Sequence, residues 1–390
     1  MRRTTILALT VFSLASAACG SDTDGSGRHV VTPDSGTNPD AVALETGTSD
    51  AGGDPDTSDA GTSDTATSDT FADATNDTGG TTSGLPVLGD GEDSLDAVEV
   101  KTLVESTAGL DGPRDLEFNP EASGQLWIVN RNDHSTVVVT DTGESSQSST
   151  KYAGNNNRHF LAKPAALAFG QPGMMATAQQ ENKVTQPQTP PDFMGVTLWD
   201  TTLSSFTAGH ASHLDMLHNS PLASGIAWEE KNVYWVFDGA HGAISRYDFN
   251  SDHGRGGTDH KDGIVRRYLD GKLKVENEVV AHVALDRDDN LLYAADTGNA
   301  RIVVLETDTG QLGDRITPNY DGSDQRFIDN AVSRTLVDGS QVGLEKPAGL
   351  ELHDGHIFVS DNATSTLYGF TTDGELVDSL DVSDRIPEGS

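Results

Sequence analysis

The stretch RYDFNSDHGRGGTDHKDGIVRRY, Arg246 to Tyr268, sets two histidines, four aspartates and four glycines between two short strand-like runs. Just upstream, TAGHASHLDMLHNSP carries His210, His213, Asp215 and His218, and six of the twelve histidines fall between His210 and His260, with His282 following. Neutral imidazole is a common metal ligand, and imidazole combined with carboxylate suits Zn²⁺ or Cu²⁺. The candidate transition-metal set is therefore His213, Asp215, His218, His253, His260 and His282. The same loop offers a harder site, because Asp248, Asn250, Asp252 and Asp259 follow the spacing of ligand positions 1, 3, 5 and 12 in a calcium loop. It departs from that pattern at His253, where Gly is expected, and at Asp259, where Glu is usual. A solvated acidic turn is the competing reading of these residues.

Other chemistries have less support. There is no HExxH, no GxSxG elbow and no phosphate-binding Gly loop. The net charge of −36 argues against nucleic acid, whose binding relies on clustered Lys and Arg to displace counterions.

The chain opens MRRTTILALTVFSLASAACGS. Arg2 and Arg3, an apolar run from Ile6 to Leu14, and small residues before Cys19 form a secretory signal over 1–18 that is too short to span a bilayer. Cys19, the one cysteine of the chain, directly follows the small residues, which resembles the lipobox of bacterial lipoproteins. That resemblance implies an acylated Cys19 and attachment to a bacterial membrane, with Gly20 resembling an outer-membrane sorting signal; Ser16 stands where such sequences usually have an aliphatic residue. With no second thiol, the fold must rest on its own core.

From Cys19 to residue 95 the composition is Ser, Thr, Asp and Gly, and TSD recurs from Thr48, Thr57, Thr62 and Thr67. Residues 20–95 hold fourteen Asp and two Glu against Arg28 as their one basic residue. So few apolar groups cannot offset the entropy of ordering, and the segment reads as a disordered, self-repelling spacer.

Such loops need a scaffold, and from residue 96 to 390 the sequence repeats. GPRDLEF is followed by GQLWIVN, KPAALAF by GMMATAQ, SPLASGIAW by NVYWVFD, AHVALD by NLLYAAD, and KPAGLEL by HIFVSD. Each copy reads as short strands parted by turns, without a sustained helical face, at a period of about 50 to 65 residues, the length of a four-stranded propeller blade with its loops. The fold class is all-β. The Asn or Asp closing the second strand, as Asn130, Asp238, Asp296 and Asp361, reads as an acceptor for local backbone rather than a ring of metal ligands. Trp199, Trp228 and Trp235 read as packing between blades, and Arg246, Arg266 and Arg267 as partners of nearby carboxylates.

The pairing of PxxLxF with LWIVN or LLYAADTGN resembles the NHL-repeat class of β-propellers. It covers nearly all of residues 96–390 and implies six blades, although five repeats are counted. VEVKTLV, Val98 to Val104, is expected to supply a strand that closes the ring against Leu376–Leu380. Peptide α-amidating lyases belong to this class and hold zinc on histidines that would align with Arg114, Ala165, Ser224, Ala281 and Ala348; none is His, so that constellation is not carried over. Arg114 and His282 remain candidates to line the channel, and His213 and His218 are expected at its mouth. Two functions follow: an envelope-tethered module binding a small-molecule ligand, metal or protein partner, or a metal-dependent lyase or hydrolase with its His/Asp site at the channel mouth.

Overall fold

The computed structural model describes residues 84–153, 160–182, 195–204, 213–319 and 321–385. The signal segment, Cys19, the spacer to residue 83 and His210 lie outside the described residues.

Five sheets, each built on a four-stranded antiparallel blade, form a β-propeller. The first blade is β1 (Pro113–Phe118), β2 (Leu126–Asn130), β3 (Ser135–Thr140) and β4 (Ser148–Tyr152). The second is β5 (Pro164–Phe169), β6 (Met174–Gln179), β7 (Thr197–Asp200) and β8 (Asp215–Met216). The third is β9 (Ala223–Trp228), β10 (Val233–Asp238), β11 (Ala243–Asp248) and β12 (Ile264–Tyr268). The fourth is β13 (Val283–Asp286), β14 (Leu291–Asp296), β15 (Arg301–Glu306) and β18 (Ser333–Asp338), interrupted by the hairpin β16 (Gln311–Arg315) and β17 (Asp324–Asp329). The fifth is β19 (Pro347–His353), β20 (His356–Asp361), β21 (Thr366–Thr371) and β22 (Leu376–Asp381). The five counted repeats are the five blades, and among the described residues the sixth implied by resemblance is not formed. Among the described residues, the interval between Phe169 and Pro221 holds β6, β7 and β8 of the second blade.

The second strand of each blade is buried on both faces, as in LWIVN and VYWVFD, so its sequence is a continuous apolar run rather than an alternation. Trp127, Trp199 and Trp235 are almost fully buried between sheets. The innermost strands face the channel with an unpaired edge, which costs free energy unless its N–H groups find acceptors. β1 supplies them to β5: Asp115 accepts from Leu167 N at 2.8 Å, Glu117 from Phe169 N at 2.8 Å, and Glu121, beyond the strand, from Gly173 N at 2.6 Å, each pair one repeat of 52 residues apart.

The residue closing each second strand is structural, as expected. Asn130, Asp238, Asp296 and Asp361 are buried and bond the loop that enters the blade, as Asp361 does with Glu345 N at 2.6 Å and Lys346 N at 2.8 Å. The second blade uses Gln179, whose amide accepts from Ala162 N at 3.2 Å and donates to Phe160 O at 2.7 Å.

Ring closure differs from expectation. Residues 98–104 form no strand, and all four strands of the fifth blade come from the C-terminal repeat. A belt across the junction replaces the exchanged strand. Leu85, Val87, Leu88, Leu95 and Val98 pack on Phe358, Leu367, Leu380 and Val382 of the fifth blade, while Val104 and Leu110 pack on the first. Asp378 accepts from Leu85 N at 2.6 Å and Gly91 N at 3.0 Å. Residues 84–95, which read compositionally as spacer, are thus part of the packed chain.

The inserted hairpin leaves the fourth blade and joins the third. β17 runs parallel to β12, making a six-stranded sheet, and the turn before it sets Asp321 beside the outer strands of the second and third blades.

Candidate metal centre and central channel

The loop between β11 and β12 is shaped to deliver its histidines to the neighbouring blade. Phe249 anchors its start in the core. Asn250 Nδ2 donates to Asp262 O at 3.1 Å and Ser251 N to Asp262 Oδ2 at 3.1 Å, tying the two ends together. Arg255 reaches Asp200 of β7 at 2.6 Å, clamping the loop to the second blade. A Cβ at Gly257 would press on the His253 carbonyl and stand 2.7 Å from its Nδ1, so the glycine is what lets the His253 ring fold inward.

Among the described residues, Asp215, His253 and His260 are the metal-capable side chains whose ligand atoms lie within 4.8 Å of one another. Asp215 comes from the short outermost strand β8; its Oδ1 accepts from Met216 N at 2.6 Å and lies 2.9 Å from His260 Nδ1 and 3.8 Å from His253 Nε2. The His253 Nδ1 is 2.6 Å from Gly254 O; a carbonyl only accepts, so Nδ1 carries the proton and Nε2 presents a lone pair. That Nε2 and the Asp215 Oδ2 are both buried without a hydrogen-bond partner, on side chains 3% and 1% exposed. Burial holds the Asp215 carboxyl above the usual range despite the His260 bond and the Met216 amide.

The remaining histidines of this cluster form its wall. His213 stacks on Phe160 with ring centroids 3.7 Å apart and meets His253 edge-on at 5.0 Å. His218 lies 6.1 Å from His260 and pairs through Nδ1 with Asp321 at 2.8 Å. Burial alone would raise the Asp321 carboxyl, but hydrogen bonds from His218 and Ser323 outweigh it and hold it at about 2. Asp321 has no motif around it, and only the inserted hairpin brings it here.

The location corrects the expectation of a channel mouth. β8 is the outermost strand of its blade, and the β11–β12 loop lies at the rim opposite the one where innermost strands begin. The group therefore sits at the outer seam between the second and third blades.

His282 is not part of it. It lines the central channel, with Nδ1 4.0 Å from Asp115 and Nε2 buried without a partner. Burial lowers its pKa to about 4, so the ring is neutral. Arg114 does not line that cavity: its guanidinium turns to Glu278, donating to the backbone oxygen at 2.9 Å. In the calcium-loop set, Asp248 accepts from Asn250 N at 2.9 Å, Asp252 from Gly254 N at 3.0 Å and Asp259 from Lys261 N at 3.4 Å. Those carboxylates and Asn250 serve the loop's own turns.

The tryptophan and arginine expectations hold in part. Trp199 and Trp235 are core residues, whereas Trp228 borders the channel with Arg287 over its ring at 4.7 Å. Arg246 pairs with Glu229 at 2.7 Å and Arg266 with Asp324 at 2.6 Å.

No protein-family model matches the sequence, and no curated protein matches it. Solved structures of similar architecture include a catalytically inactive virginiamycin B lyase from Staphylococcus aureus with quinupristin, at 14% identity and TM-score 0.39 over 68% of each chain. An auxiliary nutrient binding protein from Bacteroides ovatus aligns at 16% identity and TM-score 0.42, over 68% of this chain and 57% of its own. A chain of a nidogen/laminin complex aligns at 12% identity and TM-score 0.46, over 73% of this chain and 85% of its own. At these values no residue role or activity passes to this chain.

Proposed function

We propose that this chain is a cell-envelope-tethered propeller that works as a binding module, with a transition-metal centre formed by Asp215, His253 and His260. Lipid on Cys19 and the acidic spacer to residue 83 would hold the propeller away from a bacterial membrane, with the outer membrane favoured by Gly20. The observation that carries the metal reading is the pair of buried orphan atoms, Asp215 Oδ2 and His253 Nε2, at the place where three metal-capable groups meet. A buried carboxylate oxygen and a buried imidazole lone pair each cost free energy without a partner. A cation offsets both at once. Ligand atoms around a tetrahedral zinc stand about 3.3 Å apart for bonds of 2.0–2.1 Å, and the 2.9 and 3.8 Å separations from Asp215 Oδ1 bracket that value. Two imidazoles and a carboxylate favour Zn²⁺ over a hard cation such as Ca²⁺.

Three protein ligands leave a fourth position for water, a ligand group or a partner's side chain. The His218–Asp321 pair beside His260 supports a second reading, a metal-dependent lyase or hydrolase in which His218, oriented by Asp321, moves a proton next to that position.

Elemental analysis of the purified chain tests the centre. The expected result is about one equivalent of zinc, lost in His253→Ala and in Asp215→Asn and retained in Asp252→Ala. A metal-free chain that takes up no zinc on titration would overturn it.

A further inference from the structure

A second cavity, of about 300 Å³, occupies the axis of the ring and is lined by the innermost strands of all five blades. Leu167, Phe169, Ile226 and Leu350 border it only from the cores between blades, where their side chains are buried. The half-buried apolar lining is Leu116, Leu285 and Leu352, and the ionisable side chains are Asp115, Glu117, His282, Arg287 and Glu351. Three carboxyls thus face one exposed cation, and that cation is already stacked on Trp228. The neutral His282 adds a buried Nε2 with no hydrogen-bond partner. The cavity is short of positive charge.

A lone metal ion does not answer that need. Among the described residues, Asp115, Glu117 and Glu351 do not bring their oxygens together within metal-ligand range, and the volume is that of a small-molecule pocket. Asp115 already accepts from Leu116 N and Leu167 N, one on each oxygen, and Glu117 from Phe169 N on one, so the remaining acceptor capacity is spread along the axis. We propose that the central channel is a separate binding site for a short aliphatic diammonium compound. One ammonium is placed among Asp115, His282 and Glu351, the chain lies against the half-buried Leu116, Leu285 and Leu352, and the other ammonium reaches Glu117 and the Trp228 ring. Burial pushes Asp115 to about 7 and Glu117 to about 8, and Glu351, exposed on its strand but facing Asp115 across the cavity, is raised in the same direction, as expected of acids whose counter-charge comes from outside the chain.

Calorimetric titration of the full chain with cadaverine at pH 7.5 tests this, with 1,5-pentanediol as the uncharged probe of equal length. Cadaverine is expected to bind at one equivalent and the diol not to bind. Among the described residues Glu351 bonds no neighbouring blade, so Glu351→Gln keeps the fold while weakening cadaverine at least about tenfold, the loss of one charge-assisted hydrogen bond. The exposed Asp373→Asn is expected to bind like the parent, and chelation of zinc to leave binding unchanged. Absence of saturation up to about ten millimolar, equal affinity in Glu351→Gln, or loss of binding on chelation would each overturn the proposal.

Discussion

At the scale of single residues, the chemistry-bearing positions divide by burial and by whether each polar atom has a partner. The metal candidates were legible as residue types, since His253, His260 and Asp215 stand out in an acidic chain with few histidines elsewhere. Which of six would converge was not legible, because Asp215 lies 45 residues from His260 and only blade packing decides the meeting. The channel acids left a weaker trace, Asp115 and Glu117 two apart in RDLEF and so on one face of a strand. Their titration has a measurable sign. A carboxyl whose folded pKa is raised stabilises the fold fully below its unfolded pKa of about 4.3, and that contribution is lost as pH rises through the folded value. For Glu351, whose folded value is raised to about 7 although its side chain is exposed on the strand, Glu351→Gln should gain stability relative to the parent as pH rises from about 4.5 to 8, by less than the full shift because solvent screens an exposed carboxyl. Urea denaturation of both proteins across that range checks it, and a flat difference would show that the carboxyl is not desolvated.

Elements decide how those residues are presented. The β11–β12 loop depends on Gly257, because any side chain there meets the His253 backbone and ring. Gly257→Ala is expected to move His253 and weaken zinc by about tenfold or more while leaving the secondary structure by circular dichroism intact; unchanged zinc affinity would mean that the loop does not set the ring. The inserted hairpin is a second such element. It reads in sequence as extra length in the fourth repeat, and nothing local shows that β17 will pair with β12 and bring Asp321 to His218. The belt over the fifth blade was hidden for a different reason. GLPVLGDGEDS has the composition of the spacer before it, and only Leu85, Val87 and Leu88 carry the packing. Leu88 is 1% exposed, so Leu88→Ala should cost about 2–4 kcal/mol in chemical denaturation; a loss under about 0.5 kcal/mol would show that the belt does not secure the ring.

For the whole molecule, the repeats made the propeller readable before its details, since like units that cannot bury their faces alone must stack, and five units close without a sixth. Closure puts two kinds of site on one scaffold, a seam where loops of adjacent blades meet and an axis shared by all five. The seam should couple metal to stability, because the ion would bridge the second and third blades: zinc in hundredfold excess over its dissociation constant is expected to stabilise the fold by about 2.7 kcal/mol, read as a rise in melting temperature that His253→Ala abolishes. The most direct test is X-ray absorption at the zinc edge on the one-to-one complex. The expected shell is two imidazole nitrogens at about 2.0–2.1 Å and carboxylate oxygen at about 2.0–2.2 Å, with one imidazole lost in His253→Ala. A shell of oxygen alone, or one unchanged by that substitution, would contradict a centre built from Asp215, His253 and His260.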